Sequence, residues 1–136
     1  MLKKIELQTA SDESLVNITK ELRVAVRESG VKEGICVVYV PHTTAALTVN
    51  SGIDPKTAMD IVDEVHRLVP TRVDFHHTYD TPADASGHVK ASLVGGDVTL
   101  IITEGDLLLG GSQSVLFFEF DGPRSRKIMV RIMADS

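Results

Sequence analysis

Residues 34–50 read "GICVVYVPHTTAALTVN". Two apolar, partly β-branched runs, "GICVVYVP" and "TAALTVN", are separated only by "PHT", which predicts two buried strands with a break between them. His42 falls in that break, at a strand end, where a polar side chain can face a site while its neighbours pack in the core. Working outward, residues 2–9 alternate loosely as an edge strand does, and "ITKELRVAVRESG" (residues 18–30) places Leu22, Ala25 and Val26 on one helical face ahead of Gly30. On the other side, "DPKTAMDIVDEVHRLVP" (residues 54–70) predicts a helix capped by Asp54. Pro55 takes its first position, and Ala58, Ile61, Val62, Val65, Leu68 and Val69 form the apolar stripe. Three further runs, "DVTLIIT", "SVLFFEF" and "RKIMVRIM", read as strands, the first two joined through the Gly-rich "EGDLLLGGSQ". Strands at both ends with two or three helices between them do not give the regular alternation of a doubly wound sheet. The expectation is an α+β fold with an antiparallel β-sandwich core.

The chain has 136 residues, enough for one domain (residues 1–136) that buries a core without disulfides or a structural metal. Hydrophobic residues at 43% and charged residues at 24% match an ordinary globular protein and argue against disorder. Aromatics at 4%, no Trp and a formal net charge of −5 leave little for base stacking or phosphodiester binding, so nucleic acid is not an expected partner. The single Cys36 lies inside "ICVVYV", where it reads as a small buried hydrophobe, in keeping with a reducing cytoplasm. No apolar run approaches bilayer length, and the N-terminus lacks the apolar stretch of a signal peptide, so a soluble, membrane-free protein is expected.

The chemistry is concentrated in "DFHHTYDTPADASGHVKASL" (residues 74–93), which holds three of the five histidines. Neutral imidazole is a common ligand for zinc-like metals, and a catalytic site usually supplies three protein ligands and leaves a position open. His66 sits on the margin of a helical stripe, where packing or surface exposure explains it. His76 and His77 are adjacent, so on an extended segment they point to opposite faces and one of them is a bystander. Asp84 and His88 are four apart, which on a helix would put carboxylate and imidazole on one face. The competing explanation for Asp84 is local: "TPAD" has the form of a capping box with Thr81 as cap, although Gly87 weakens a helix starting there. "EFDGPRSRK" groups Glu119, Asp121, Arg124, Arg126 and Lys127 around a Gly-Pro turn, which could aim guanidinium groups at a phosphate or be a solvated charged turn. In "LLLGGSQS" only Gln113 has specific polar reach. No zincin, CxxC, Walker or GxSxG spacing is present.

Taken together, "PHTTAALTVN", "HVKASLVG", "LLLGGSQ" and "FEFDGPRSRK", in this order and spacing, resemble the YjbQ-like family over nearly the whole chain. That family carries the designation secondary thiamine-phosphate synthase. The resemblance implies a β-sandwich protein assembled as a homotrimer, with sites near subunit boundaries. It implies metal binding by His42, His77 and His88, with zinc or another transition metal favoured and magnesium possible. It also implies catalytic roles for Asp84, Lys90 and Glu119, and binding of a phosphorylated small molecule by Asn50, Ser92, Gln113, Arg124 and Arg126. The implied reaction joins a hydroxymethylpyrimidine diphosphate to a thiazole phosphate with release of pyrophosphate. Two alternatives are a metal-dependent phosphate-ester hydrolase and a non-catalytic trimer that binds a metal or an anion. One departure stands out: family members often read "GTWQG" where this chain has "GGSQS", so Ser112 replaces a bulky Trp.

Overall fold

The computed structural model describes residues 1–10 and 12–136. Among them are eight strands and three helices: β1 (Leu2–Gln8), β2 (Ser14–Asn17), α1 (Thr19–Ser29), β3 (Gly34–Tyr39), β4 (Ala45–Ser51), α2 (Pro55–Leu68), α3 (Pro82–Val94), β5 (Asp97–Thr103), β6 (Asp106–Leu107), β7 (Gln113–Glu119) and β8 (Ser125–Ala134). Every strand pairing is antiparallel. One sheet has the order β1-β8-β3-β5-β6 and the other β2-β7-β4. The expected α+β class with two sheets is therefore the observed one. The sequence reading missed β2 and β6, which are four and two residues long and too short to show a period.

The three-stranded sheet is apolar on both faces, which is why "SVLFFEF" reads as an unbroken hydrophobic run. Ala45, Leu47, Val115 and Phe117 join Cys36, Val38, Ile128, Val130 and Ile132 of the five-stranded sheet, and Leu22 and Val26 of α1, in the main core. The next residues along the same strands, Ala46 and Phe118, face the other way and form a second cluster with Phe120, Ile61, Val62, Val65, Ala91 and Val94. α2 and α3 are thus held on the back of the small sheet, each buried Phe contributing roughly 1.5–3 kcal/mol. α1 ends at Gly30, whose φ of 73° is the left-handed conformation that a Gly takes at low cost. The caps expected for α2 are present, with Asp54 accepting from the Lys56 N–H at 2.9 Å and Pro55 opening the helix. Its stripe is shallower than expected: α2 buries no residue fully, and Leu68 is 64% exposed.

α3 forms despite Gly87, and Gly87 is what lets it pack. A Cβ there would lie 3.2 Å from both Cβ and Cγ2 of Thr44, tighter than an ordinary contact, so Gly lets the helix sit close against the bend between β3 and β4. That approach brings Asp84 and His88 of α3 alongside the "HTT" bend. None of the helices is long and apolar enough to cross a membrane.

Candidate metal centre

Thr81 caps α3, its hydroxyl accepting from the Asp84 N–H at 3.1 Å. The box is only half used: the Thr81 N–H donates to Asp80 Oδ1 at 2.9 Å, and the Asp84 carboxylate turns to the histidines instead. Asp84 Oδ2 lies 2.8 Å from His77 Nε2 and 3.2 Å from His88 Nε2. The two imidazole rings meet nearly edge to face, with centroids 5.1 Å apart. One ligand atom from each of the three residues falls within a 4.8 Å span. Burial acts to raise the Asp84 carboxyl, but hydrogen bonding and charge from His77 and His88 outweigh it and hold the group below its ordinary range. Asp84 is therefore ionised at neutral pH, as a ligand carboxylate must be. His77 and His88 remain partly open to solvent, which leaves room for a further ligand.

Of the histidines expected to bind metal, His77 and His88 are brought together and His42 is not. Its Nε2 accepts the backbone N–H of Lys127 at 2.9 Å, and Asp84 completes the cluster in its place. His42 nonetheless borders the same region. It lines a cleft of about 330 Å³ with Thr44, Asp80, Asp84, Arg124 and Arg126, and another of about 360 Å³ with His88 and Ser92. Larger clefts of about 490 Å³ beside Leu7 and about 510 Å³ along α1 contain none of the histidines. Burial, then the cationic Arg126, hold the His42 imidazole below its ordinary pKa. His66 is tied to Glu13 at 3.3 Å on α2, and His76 is exposed and outside the three-residue group.

The cationic wall of the first cleft is built from the β7–β8 connection. Arg126 bridges the two sheets: Nε donates to Glu119 Oε1 at 2.8 Å, Nη2 pairs with Glu119 Oε2, and Nη2 also donates to Thr44 Oγ1 at 2.9 Å. Glu119 is fully buried and further takes the Thr9 hydroxyl at 2.7 Å and the Asp121 N–H at 3.1 Å. Burial would raise its carboxyl, but these donors, Arg126 foremost, keep it below the usual carboxylate range. Arg126 Nη1 makes no hydrogen bond among the described residues, and the residue lines both this cleft and the one beside Leu7. Arg124 is steadied by Asp121 at 2.7 Å and lies 3.7 Å from Asp80.

Several expected site residues are elsewhere. Lys90 is fully buried, paired with Glu13 and facing the Phe120 ring, so it braces α3 and does not reach the cleft. Glu119 is fully buried and paired with Arg126. Asn50 and Gln113 lie at the far end of the small sheet from Ala45 and Glu119, about 17 Å away at strand rise, so within one chain they do not join the histidines. The Asn50 side chain accepts the Ser51 N–H, and the Gln113 side chain accepts the Gly110 N–H. Ser92 stays beside His88, bonded to its carbonyl at 2.9 Å. The sequence reading gave no weight to Asp80 or Glu13. Asp80 adjoins the Thr81 cap, a weak local signal, whereas Glu13 is 77 residues from its partner Lys90 and offered none.

Fold and cluster define a two-sheet α+β domain with a His/Asp/His group at the edge of a cleft lined by Asp80, Asp84, Arg124 and Arg126. The chain belongs to the YjbQ-like UPF0047 family, whose pattern matches residues 3–135. It is 44% identical over 135 residues to a UPF0047 protein of Methanocaldococcus jannaschii, covering 99% of this chain and 96% of that one. It is 34% identical to the UPF0047 protein YugU of Bacillus subtilis, covering 98% and 99% of the two chains. A crystal structure of a YbjQ-like protein of unknown function from Sulfolobus solfataricus superposes with a TM-score of 0.94 at 30% identity, covering 99% and 97%. One from Clostridium acetobutylicum gives 0.91 at 40% identity, covering 96% and 99%. These relatives overturn the expected thiamine-phosphate synthase activity: they are uncharacterised family members, and nothing in what they are called points to that reaction.

Proposed function

We propose that the protein is a metal-dependent enzyme that binds a divalent transition metal through His77, Asp84 and His88 and acts on a phosphorylated small molecule held in the adjoining cleft. The observation that carries this reading is the convergence of His77 Nε2 and His88 Nε2 on one oxygen of an ionised Asp84. Two imidazoles and a carboxylate suit zinc, iron or manganese; magnesium, which favours oxygen donors in a full octahedron, fits this set poorly. A bound ion would supply Lewis-acid polarisation to a ligand oxygen. The chain's own residues do the rest. Arg124 and Arg126 line the cleft as the donors for an anionic group, and Asp121 and Glu119 fix where those guanidinium groups sit.

The reading extends to assembly and location. The outer face of the five-stranded sheet leaves Ile35, Tyr39, Ile101 and Met133 at 37–54% exposure, which supports association into the homotrimer that the family resemblance implies. The buried, unpaired Cys36 fits a cytoplasmic location. Light scattering on the purified chain tests the assembly.

The deciding experiment is zinc uptake followed by elemental analysis. About one zinc per chain is expected in the wild type, with His77→Ala, His88→Ala and Asp84→Asn each falling far below that. A wild-type chain that takes up no zinc, iron or manganese ends the proposal.

A further inference from the structure

His42 stands where one strand ladder stops. β3 pairs with β8 from Gly34 opposite Ala134 to Tyr39 opposite Met129, and beyond Tyr39 the chain bends away. The Lys127 N–H, two residues further along β8, would otherwise lack a partner there, and the His42 ring takes the missing strand's place at 2.9 Å. A backbone N–H can only donate, so Nε2 must present its lone pair. A neutral imidazole carries one N–H, which is then on Nδ1. A doubly protonated ring would set N–H against N–H, and burial together with Arg126 already disfavours that form. Nδ1 makes no hydrogen bond among the described residues, while the ring lines the clefts that also contain Asp84 and Arg126 on one side and His88 on the other.

We propose that His42 is a positioning residue, a neutral donor of fixed tautomer that holds an oxygen of the anionic ligand through Nδ1–H and does not bind the metal. The proposal rests on the reading of His77, Asp84 and His88 as the metal ligands. Its ligand chemistry is a phosphoryl oxygen in the cleft that Arg126 lines with it: the fixed N–H supplies direction and the guanidinium supplies charge. The bend "PHTT" thereby has a defined purpose. Pro41 ends the strand, His42 closes the ladder with one nitrogen and faces the ligand with the other, and Thr44 anchors Arg126.

Two substitutions separate the ring's two nitrogens. His42→Gln places an amide oxygen near the Nε2 position, where it can accept from Lys127, but leaves no donor at the Nδ1 position. His42→Asn does the reverse. The wild type and both variants are loaded with zinc, assayed for metal content, and titrated with inorganic phosphate by calorimetry. All three are expected to retain zinc, with the phosphate Kd raised roughly tenfold in His42→Gln and less than about threefold in His42→Asn. Loss of zinc from His42→Gln makes His42 a ligand and overturns the proposal, as does equal phosphate affinity in His42→Gln and the wild type. If the wild type takes up no zinc, the metal reading falls by itself. Nitrogen NMR of the metal-free chain then decides the role of His42: Nδ1 protonated and Nε2 bare near neutral pH upholds it, and any other state of the ring overturns it.

Discussion

Gly87 packs closely on Thr44: a Cβ on Gly87 would lie 3.2 Å from Thr44 Cβ and Cγ2, tighter than an ordinary van der Waals contact. Thr44 cannot readily give way, because its hydroxyl and carbonyl both hold Arg126. This contact sets the distance between α3, which carries Asp84 and His88, and the bend that carries His42.

Replacing Gly87 by Val should therefore push α3 off the small sheet. Overpacking of this kind costs about 1–3 kcal/mol, and the β-branched side chain adds no helix propensity large enough to offset it. Urea denaturation should show that loss, and zinc affinity should fall with it. Gly87→Ala is the milder control, since its gain in helix propensity of about 1 kcal/mol opposes the clash.

Metal uptake should sort the five histidines into groups. His77→Ala and His88→Ala should lower zinc affinity by well over a hundredfold, on the order of 3 kcal/mol or more for a lost ligand. His66→Ala and His76→Ala should leave it within about twofold, because His66 contacts Glu13 and His76 is exposed. A competition titration with a chromogenic chelator reads all four variants. Equal losses in His76→Ala and His77→Ala would contradict the arrangement around Asp84.

Breaking the ion pair between the sheets should be among the costliest single changes in the molecule. Glu119 is 0% and Arg126 4% exposed on the side chain, so Glu119→Ala leaves a buried guanidinium without its counterion. A loss of about 3–5 kcal/mol is expected, measured as a lower urea midpoint with an unchanged slope. Exchange of both residues for apolar ones of similar volume should recover much of it.

Stability of the metal-free chain should fall in two stages on acidification. The His42 pKa is lowered from its ordinary 6.5, so below that pH the unfolded chain binds a proton that the folded chain resists, and stability declines. Glu119 and Asp84 are held below their ordinary 4.5 and 3.8, so their contribution is present above those values and is lost as pH falls through the folded pKa. Asp121, pushed upward chiefly by burial, acts in the opposite sense and blunts the second stage. Urea midpoints measured across this range should show the first stage in the wild type and not in His42→Gln. A wild-type curve that stays flat from about pH 7 to pH 5 would contradict the assignment.

Sequence alone determined the elements whose signals are local. The strand runs around His42, the capped helix from Pro55 and the strand "DVTLIIT" follow from chain geometry, because side-chain direction repeats every two or 3.6 residues whatever lies opposite. The family resemblance, carried by the order of short motifs, selected His77 over His76, and the distances around Asp84 agree with that choice. Only the tertiary structure decided which of the polar residues meet. Spacing alone favoured Asp84 as part of a cap over a partner of His88, yet its carboxylate meets His77 because the loop before α3 brings that ring within 2.8 Å. Lys90 and Glu119 carried groups suited to catalysis, yet each is spent in a buried pair with a residue from another element. Asn50 and Gln113 match the family's motifs but, within one chain, lie at the end of the small sheet away from the histidines. His42, expected as a third ligand, lies outside the His77, Asp84 and His88 group and spends its Nε2 on the end of the β3–β8 ladder. In each case the outcome depends on contacts between residues far apart in the chain, and burial and hydrogen bonding set their free energy only once the two sheets and α3 are in place.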